Sequence, residues 1–76
     1  MTKYDYIGNN MMFVKECVML GIISTCVLSH FRIYTQYLNY LALGYSVGKA
    51  VLIISENNKL SEDMIYKIRK SMEEEI

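Results

Sequence analysis

The sequence has no proline, four glycines and two cysteines among its 76 residues, and each scarcity excludes something. Without proline, no position forces a helix to break, so helices can extend wherever the spacing of apolar residues favours them. Two cysteines, Cys17 and Cys26, are too few for the disulfide framework of a small secreted domain, and neither has zinc-ligand spacing. We interpret both as free thiols that pack as small apolar side chains in a reducing compartment.

Long apolar runs are also missing. The longest uncharged stretches, residues 17–29 and 33–48, are shorter than the ~20 residues that a membrane-spanning helix needs, so no membrane contact is predicted. The N-terminal stretch "MTKYDYIGNN" has no basic segment leading into an apolar one, as a signal peptide would. We therefore expect a cytoplasmic protein.

No set of residues indicates catalysis or a cofactor. The single histidine, His30, has no Asp or Glu three or four residues away, and we interpret it as a partly buried structural residue. Gly48 and Lys49 lack the GxxxxGK[ST] spacing of a phosphate-binding loop. The sequence thus predicts no enzyme, no metal, no cofactor and no small-molecule substrate.

Charge is balanced, with eight basic and eight acidic residues. A strong nonspecific affinity for nucleic acid, which depends on a basic excess, is therefore not expected. The distribution is less even than the total. Residues 46–72 contain five basic and three acidic side chains, and Glu73, Glu74 and Glu75 follow them directly.

Apolar residues, in contrast, make up 53% of the chain. A chain of this size buries only about 60% of the surface that it exposes when unfolded, so part of this apolar surface needs a partner. The surplus is greatest in the first half of the sequence, at Met11, Met12, Phe13, Val14, Val18 and Met19. We expect a symmetric homodimer that buries part of it.

The periodicity of these apolar residues predicts an all-α fold, a small four-helix bundle formed by one domain over residues 1–76. The predicted helices begin near Met11 after a cap at Asn9 or Asn10, after Ser24, after Ser46 and after Ser61. Gly21 and Gly44 should end the first two. The β-branched residues of "GIISTCVL" also suit a short strand, which leaves the start of the second helix open.

A stripe of tyrosines, Tyr34, Tyr37, Tyr40 and Tyr45, runs through and just beyond the second predicted helix. Such rings can stack on the bases of single-stranded nucleic acid. No Arg or Lys alternates with them, however. We therefore expect them to pack in the core with their hydroxyl groups at the surface.

The clearest helix start lies at Ser61, which is followed by Glu62 and Asp63, whose charges favour the first turn of a helix. Behind it, Ile65, Ile68 and Met72 form a single apolar stripe. The preceding helix ends only three or four residues earlier. Two helices so closely joined must cross at a steep angle to bury both stripes, so residues 46–72 are predicted to form a helix-turn-helix unit.

The stretch "VLIISENNKLSEDMIYKI", residues 51–68, resembles the helix-turn-helix DNA-binding family of phage and mobile-element type. Ile54 and Ser55 match the apolar and small positions of the first helix, and the apolar trio is Leu60, Ile65 and Ile68. Lys59 stands where the family usually has glycine. Asn58 stands where an apolar residue is commoner, and we expect it to supply the left-handed backbone of the turn.

The resemblance implies a transcriptional regulator that binds double-stranded DNA. Tyr66, Lys67 and Lys70 are the candidates for the groove, and Lys49, Lys59 and Arg69 are the candidates for the phosphates. The cap Ser61 is a further candidate DNA-binding residue. Three features argue against DNA binding: the neutral net charge, the acidic tail, and the acidic pair at the start of the recognition helix. The carboxylates of the tail and of the pair repel phosphate. A protein–protein interaction module without nucleic acid remains the alternative.

Overall fold

The computed structural model describes all 76 residues, and every regular element in it is a helix. The helices are α1 (Lys3–Asn9), α2 (Met11–Met19), α3 (Cys26–Ala42), α4 (Val47–Asn58) and α5 (Glu62–Met72). The prediction of an all-α bundle is confirmed. The predicted number of four helices is wrong, because α1 is a fifth.

The short helix α1 is fixed by a capping box at the start of the chain. The Asp5 N–H donates to Thr2 Oγ1 at 3.2 Å, and the Thr2 N–H donates to the Asp5 carboxylate at 3.3 Å. The sequence signal for this helix is therefore the spacing Thr-x-x-Asp. Asn10 separates α1 from α2, and its side chain donates to the Tyr6 carbonyl at 2.8 Å. The prediction that the Asn10 side chain caps α2 is therefore wrong.

The connection between α2 and α3 is irregular and contains no strand. Gly21 has a φ of 77° and Gly44 a φ of 97°, so both glycines adopt left-handed backbone after the helices that they were predicted to end. The predicted cap at Ser24 is wrong, because α3 begins at Cys26 with Thr25 in the cap position. The Ser24 hydroxyl instead accepts a bond from the Cys26 N–H at 3.2 Å.

The hydrophobic core lies where α3, α4 and α5 pack against one another. The largest side chains that are completely enclosed are Val51, Ile54 and Ile65. Nine of the eleven buried residues come from these three helices, whereas α1 and α2 supply one each, Ile7 and Val14. The C-terminal half therefore forms the main packing unit.

Helix α1 covers α3 through aromatic side chains. The Tyr4 ring stacks on Phe31 with centroids 4.7 Å apart and meets the edge of Tyr34 at 4.8 Å. The Tyr4 hydroxyl is hydrogen-bonded to Thr35 Oγ1 at 2.9 Å. Tyr34 and Tyr37 are buried as the tyrosine stripe predicted, but Tyr45 at its far end is 42% exposed.

The two ends of the chain meet in a terminal clasp formed by residues 1–3 and 74–76. The Lys3 N–H donates to the Glu74 carbonyl at 2.8 Å, and the Ile76 N–H donates to the Met1 carbonyl at 3.0 Å. Ion pairs join the Met1 ammonium to Glu75 at 3.0 Å and the Lys3 ammonium to Glu74 at 3.6 Å. The clasp thus places positive charge beside the acidic tail.

Both cysteines are free thiols. Cys17 is half-buried, but Cys26 is exposed, contrary to the expectation that both pack as apolar side chains. His30 is half-buried, and no group of three potential metal ligands is present. The longest helix, α3, has 17 residues, and no helix combines the length and the apolar character needed to cross a membrane.

Candidate nucleic-acid interface

The joint between α4 and α5 consists of the three residues 59–61. Lys59 occupies the left-handed position with a φ of 55°, a conformation that costs a residue other than glycine roughly 1–2 kcal/mol. The expectation that Asn58 would supply this backbone is wrong, because Asn58 is still helical. Its side-chain amide donates to the Ile54 carbonyl at 2.9 Å, which fixes the last turn of α4.

Ser55 holds the joint closed from within α4. Its carbonyl accepts a bond from the Leu60 N–H at 3.1 Å, and its hydroxyl donates to the Leu60 carbonyl. Leu60 is half-buried and packs against the core. Ser55, which the resemblance places at the small position of the first helix, thus supplies both a donor and an acceptor to the turn.

Two features fix the orientation of α5. Its first turn is capped as predicted, since the Met64 N–H donates to Ser61 Oγ at 3.2 Å. Its inner stripe is also as predicted, because Ile65, Ile68 and Met72 are no more than 3% exposed. The opposite face of α5 must therefore point away from the core.

Four of the seven candidate residues are lysines whose ammonium groups are in no ion pair: Lys49, Lys59, Lys67 and Lys70. All four are exposed. Lys49 lies in the first turn of α4, where its N–H donates to Ser46 Oγ at 3.3 Å, and Lys59 lies in the joint. Lys67 and Lys70 lie on the outer face of α5 beside Tyr66, which is 40% exposed.

Arg69 is placed differently from the lysines. It is half-buried, and its guanidinium carbon lies 5.7 Å from the centre of the Tyr37 ring, a cation–π distance. Its Nε donates to the Glu73 carboxylate at 3.3 Å. Of the five candidate cations, Arg69 is thus the one whose side chain is already engaged within the protein.

The same Glu73 carboxylate accepts a second bond, from the Tyr34 hydroxyl at 2.9 Å. Burial, this hydrogen bond and the charge of Glu73 raise the pKa of Tyr34 above its usual value, so the phenol remains a donor at neutral pH. Each glutamate of the tail therefore has a partner, since Glu74 and Glu75 belong to the terminal clasp. Three of the partners, Met1, Lys3 and Tyr34, come from distant parts of the chain and were not predicted, whereas Arg69 is only four residues from Glu73.

Charge changes sign along the outer face of α5. Glu62 and Asp63 are exposed in the first turn, where they interact favourably with the helix dipole. Lys70 lies about 10 Å from Asp63 along the helix axis, at a rise of 1.5 Å per residue. The basic part of the outer face is therefore the C-terminal half of the helix.

Comparisons of this chain with known protein families, with curated proteins and with solved structures find no significant match. The candidate interface is accordingly defined by its own geometry. Its parts are a three-residue joint, a capped helix with a buried stripe, and four exposed lysines.

Proposed function

We propose that this protein is a small transcriptional regulator that binds double-stranded DNA through the α4–α5 unit. One observation carries the proposal. The short joint and the buried stripe of α5 turn Tyr66, Lys67 and Lys70 outward, while Lys49 and Lys59 stay exposed and unpaired. A helix held in this way is suited to the major groove, and unpaired lysines are suited to the flanking phosphates.

In this proposal, the outer face of α5 enters the groove by its C-terminal half. Lys67 and Lys70 are three residues apart and therefore neighbours on the helix surface, with Tyr66 beside Lys70. Their ammonium groups can reach phosphate oxygens or base edges while Ile65 and Ile68 stay in the core. Ser61 contributes by positioning α5, because its hydroxyl already accepts the Met64 N–H.

The acidic first turn of α5 limits which approach is possible. Glu62 can accept a bond from a cytosine amino group, but its charge repels phosphate. The acidic tail presents a smaller obstacle than its sequence suggests, because Met1, Lys3 and Arg69 form ion pairs with its glutamates. In a homodimer, two α5 helices about 34 Å apart would reach successive turns of one duplex.

The test is fluorescence anisotropy with mixed-sequence duplexes at several salt concentrations between about 50 and 200 mM. Replacing both Lys67 and Lys70 with Ala should weaken binding. It should also flatten the log–log salt dependence by up to about two units, because two fewer condensed counterions are released. The control is Arg32→Ala, which removes an exposed, unpaired cation from α3 outside the α4–α5 unit.

We expect the control to bind as the wild type does. Circular dichroism should show unchanged helix content for all variants, since the replaced side chains are exposed. If the wild type binds no duplex even at the lowest salt, DNA binding is excluded. If binding followed net charge and not α5, Arg32→Ala, which removes one charge, would lose about half as much as the double variant, which removes two.

A second candidate function is a protein–protein interaction module that does not bind nucleic acid. The observation that favours it lies outside the α4–α5 unit: Met12, Met19 and Leu20 on α2 and just after it are 81, 86 and 74% exposed. Large apolar side chains grouped at a surface are typical of interaction sites. The anisotropy experiment separates the two candidates, because an interaction module fails to bind every duplex.

A further inference from the structure

The most apolar exposed surface of the protein is the outer face of α2 and the turn that follows it, here called the α2 face. It consists of Met12, Phe13, Met19, Leu20 and Ile22, each at least 59% exposed. Met12 and Met19 lie on the same side of the helix, and Leu20 and Phe13 lie beside them, by the 3.6-residue period. Met19, Leu20 and Glu16 also line an open depression of about 260 Å³.

The α2 face is not exposed because α2 is detached. The opposite side of the helix packs on the protein, with Val14 6% exposed and Met11 in contact with the core. Cys17 and Val18 are half-buried on that side. Helix α2 therefore has one apolar side that is covered and a second that is not.

The size of the α2 face matches half of a small dimer interface. A large apolar side chain has roughly 150–200 Å² to bury, so the exposed parts of these five residues sum to about 600 Å². Two copies would together bury at most about 1,200 Å² from these five side chains, which is at the lower limit for a specific and stable interface. No larger partner is needed to cover the face.

The charges on α2 sum to zero in a pair of copies. Lys15 and Glu16 are its only charged residues, they are adjacent in the middle of the helix, and neither is in an ion pair. When two α2 helices pack antiparallel about a twofold axis through their midpoints, Lys15 of each copy comes level with the partner's Glu16, and the two Glu16 side chains also approach each other across the axis. The same symmetry brings Met12 opposite the partner's Met19, so apolar groups meet on both sides of the charges.

We propose that the α2 face binds a second copy of this chain in an antiparallel, twofold-symmetric dimer centred on Lys15 and Glu16. The interface has an apolar part at each end and a charge-balanced cluster of four side chains between them. Side chains of the partner would fill the depression beside Glu16. The inference does not depend on DNA binding, and its test uses no nucleic acid.

The test is sedimentation velocity and light scattering of the full chain at about 10–100 µM, where a dimer of this interface size should be present. Met19→Gln should raise the dimer dissociation constant at least about tenfold, because it places an amide in the apolar part of the interface. Met64→Gln is the matched control. Met64 is a 40% exposed methionine of α5, away from the α2 face, and its replacement should leave the constant unchanged.

A charge exchange tests the symmetry. Lys15→Glu and Glu16→Lys should each weaken the dimer about tenfold, because each makes four like charges at the centre of the interface. The double exchange, Lys15→Glu with Glu16→Lys, should restore the wild-type constant. A wild-type protein that stays monomeric at the highest concentration overturns the proposal, and so does a dimer that none of these α2 variants weakens.

Discussion

Helices α5 and α2 have similar lengths, 11 and 9 residues, but they separate apolar from polar side chains very differently. In α5, Ile65, Ile68 and Met72 are buried, and every charged residue except Arg69 is exposed. In α2, Val14 is buried while Met12 and Met19 are among the most exposed side chains of the protein. The outer face of α5 is therefore suited to water or to a polar ligand, and that of α2 to an apolar partner.

This difference explains where sequence periodicity is informative. A helix with one apolar stripe has one way to bury it, so the inner face of α5 could be predicted from spacing alone. A helix that is apolar nearly all round can bury any of several faces. In α2, the neighbouring helices decide which side is covered, and the sequence does not contain that information locally.

The largest effect is expected from truncating the buried stripe of α5. Ile68→Ala should lower the free energy of unfolding by about 2–5 kcal/mol, because Ile68 is 2% exposed and its truncation leaves a cavity. Met12→Ala on α2 should cost under about 1 kcal/mol in the monomer, since Met12 is 81% exposed. Denaturation with urea, followed by circular dichroism at a concentration that keeps the protein monomeric, measures both.

The comparison between the two helices would fail if the costs were equal. A loss well under 1 kcal/mol for Ile68→Ala would mean that the stripe of α5 does not face the core. A cost of several kcal/mol for Met12→Ala would mean that α2 packs by its outer face.

The all-α fold and the α4–α5 unit could be predicted because their signals are local. Ser46 and Ser61 both cap the helices that follow them, as the sequence predicted. Helix α1 was missed although Thr2 and Asp5 carry a local signal, because a helix of seven residues has too little periodicity to be noticed. The terminal clasp has no local signal at all, since it joins residues more than 70 positions apart.

The site could be predicted in part for the same reason. The exposure of Lys67 and Lys70 follows from the stripe on the other side of α5. The half-buried position of Arg69 does not follow from this stripe, because Arg69 contacts the Tyr37 ring in α3 and forms an ion pair with Glu73. The intrinsic preference of asparagine predicts Asn58 as the left-handed residue of the joint, but α4 extends through Asn58 and Lys59 takes that conformation.

A smaller effect is expected at Tyr34, where α5 and the tail meet α3. Tyr34→Phe should lower the free energy of unfolding at neutral pH by about 1.5 kcal/mol, because it removes a hydrogen bond to a charged carboxylate. Tyr6→Phe on α1 is the matched control. Tyr6 is 43% exposed, and its replacement should cost almost nothing.

The pH dependence gives this prediction a sign. The pKa of Tyr34 is raised in the folded state, so its stabilising effect is complete below the unfolded pKa of about 10 and is lost as the pH rises above that value. The difference in stability between the wild type and Tyr34→Phe should therefore shrink above about pH 10. Urea denaturation at several alkaline pH values measures it, and a difference that grows in this range would contradict the raised pKa.

The smallest effect compares the two helix starts directly. Ser61 caps α5 with its hydroxyl, whereas Asn10 stands at the start of α2 without a side-chain capping bond. Ser61→Ala should therefore cost about 1 kcal/mol, because the Met64 N–H loses its acceptor. Asn10→Ala should cost only a few tenths of a kcal/mol, because it removes an exposed bond to the Tyr6 carbonyl.

Thermal and urea denaturation of the two variants, measured side by side with the wild type, give the comparison. Ser61→Gly should lower the free energy of unfolding much less than Ser61→Ala, since glycine is tolerated at a helix cap almost as well as serine. If Asn10→Ala proved as costly as Ser61→Ala, Asn10 would stabilise the start of α2 as strongly as Ser61 stabilises the start of α5. The two helix starts would then not differ in capping. The expected inequality would instead show that α5, where the proposed DNA contacts lie, depends on a side-chain cap and that α2, where the proposed dimer forms, does not.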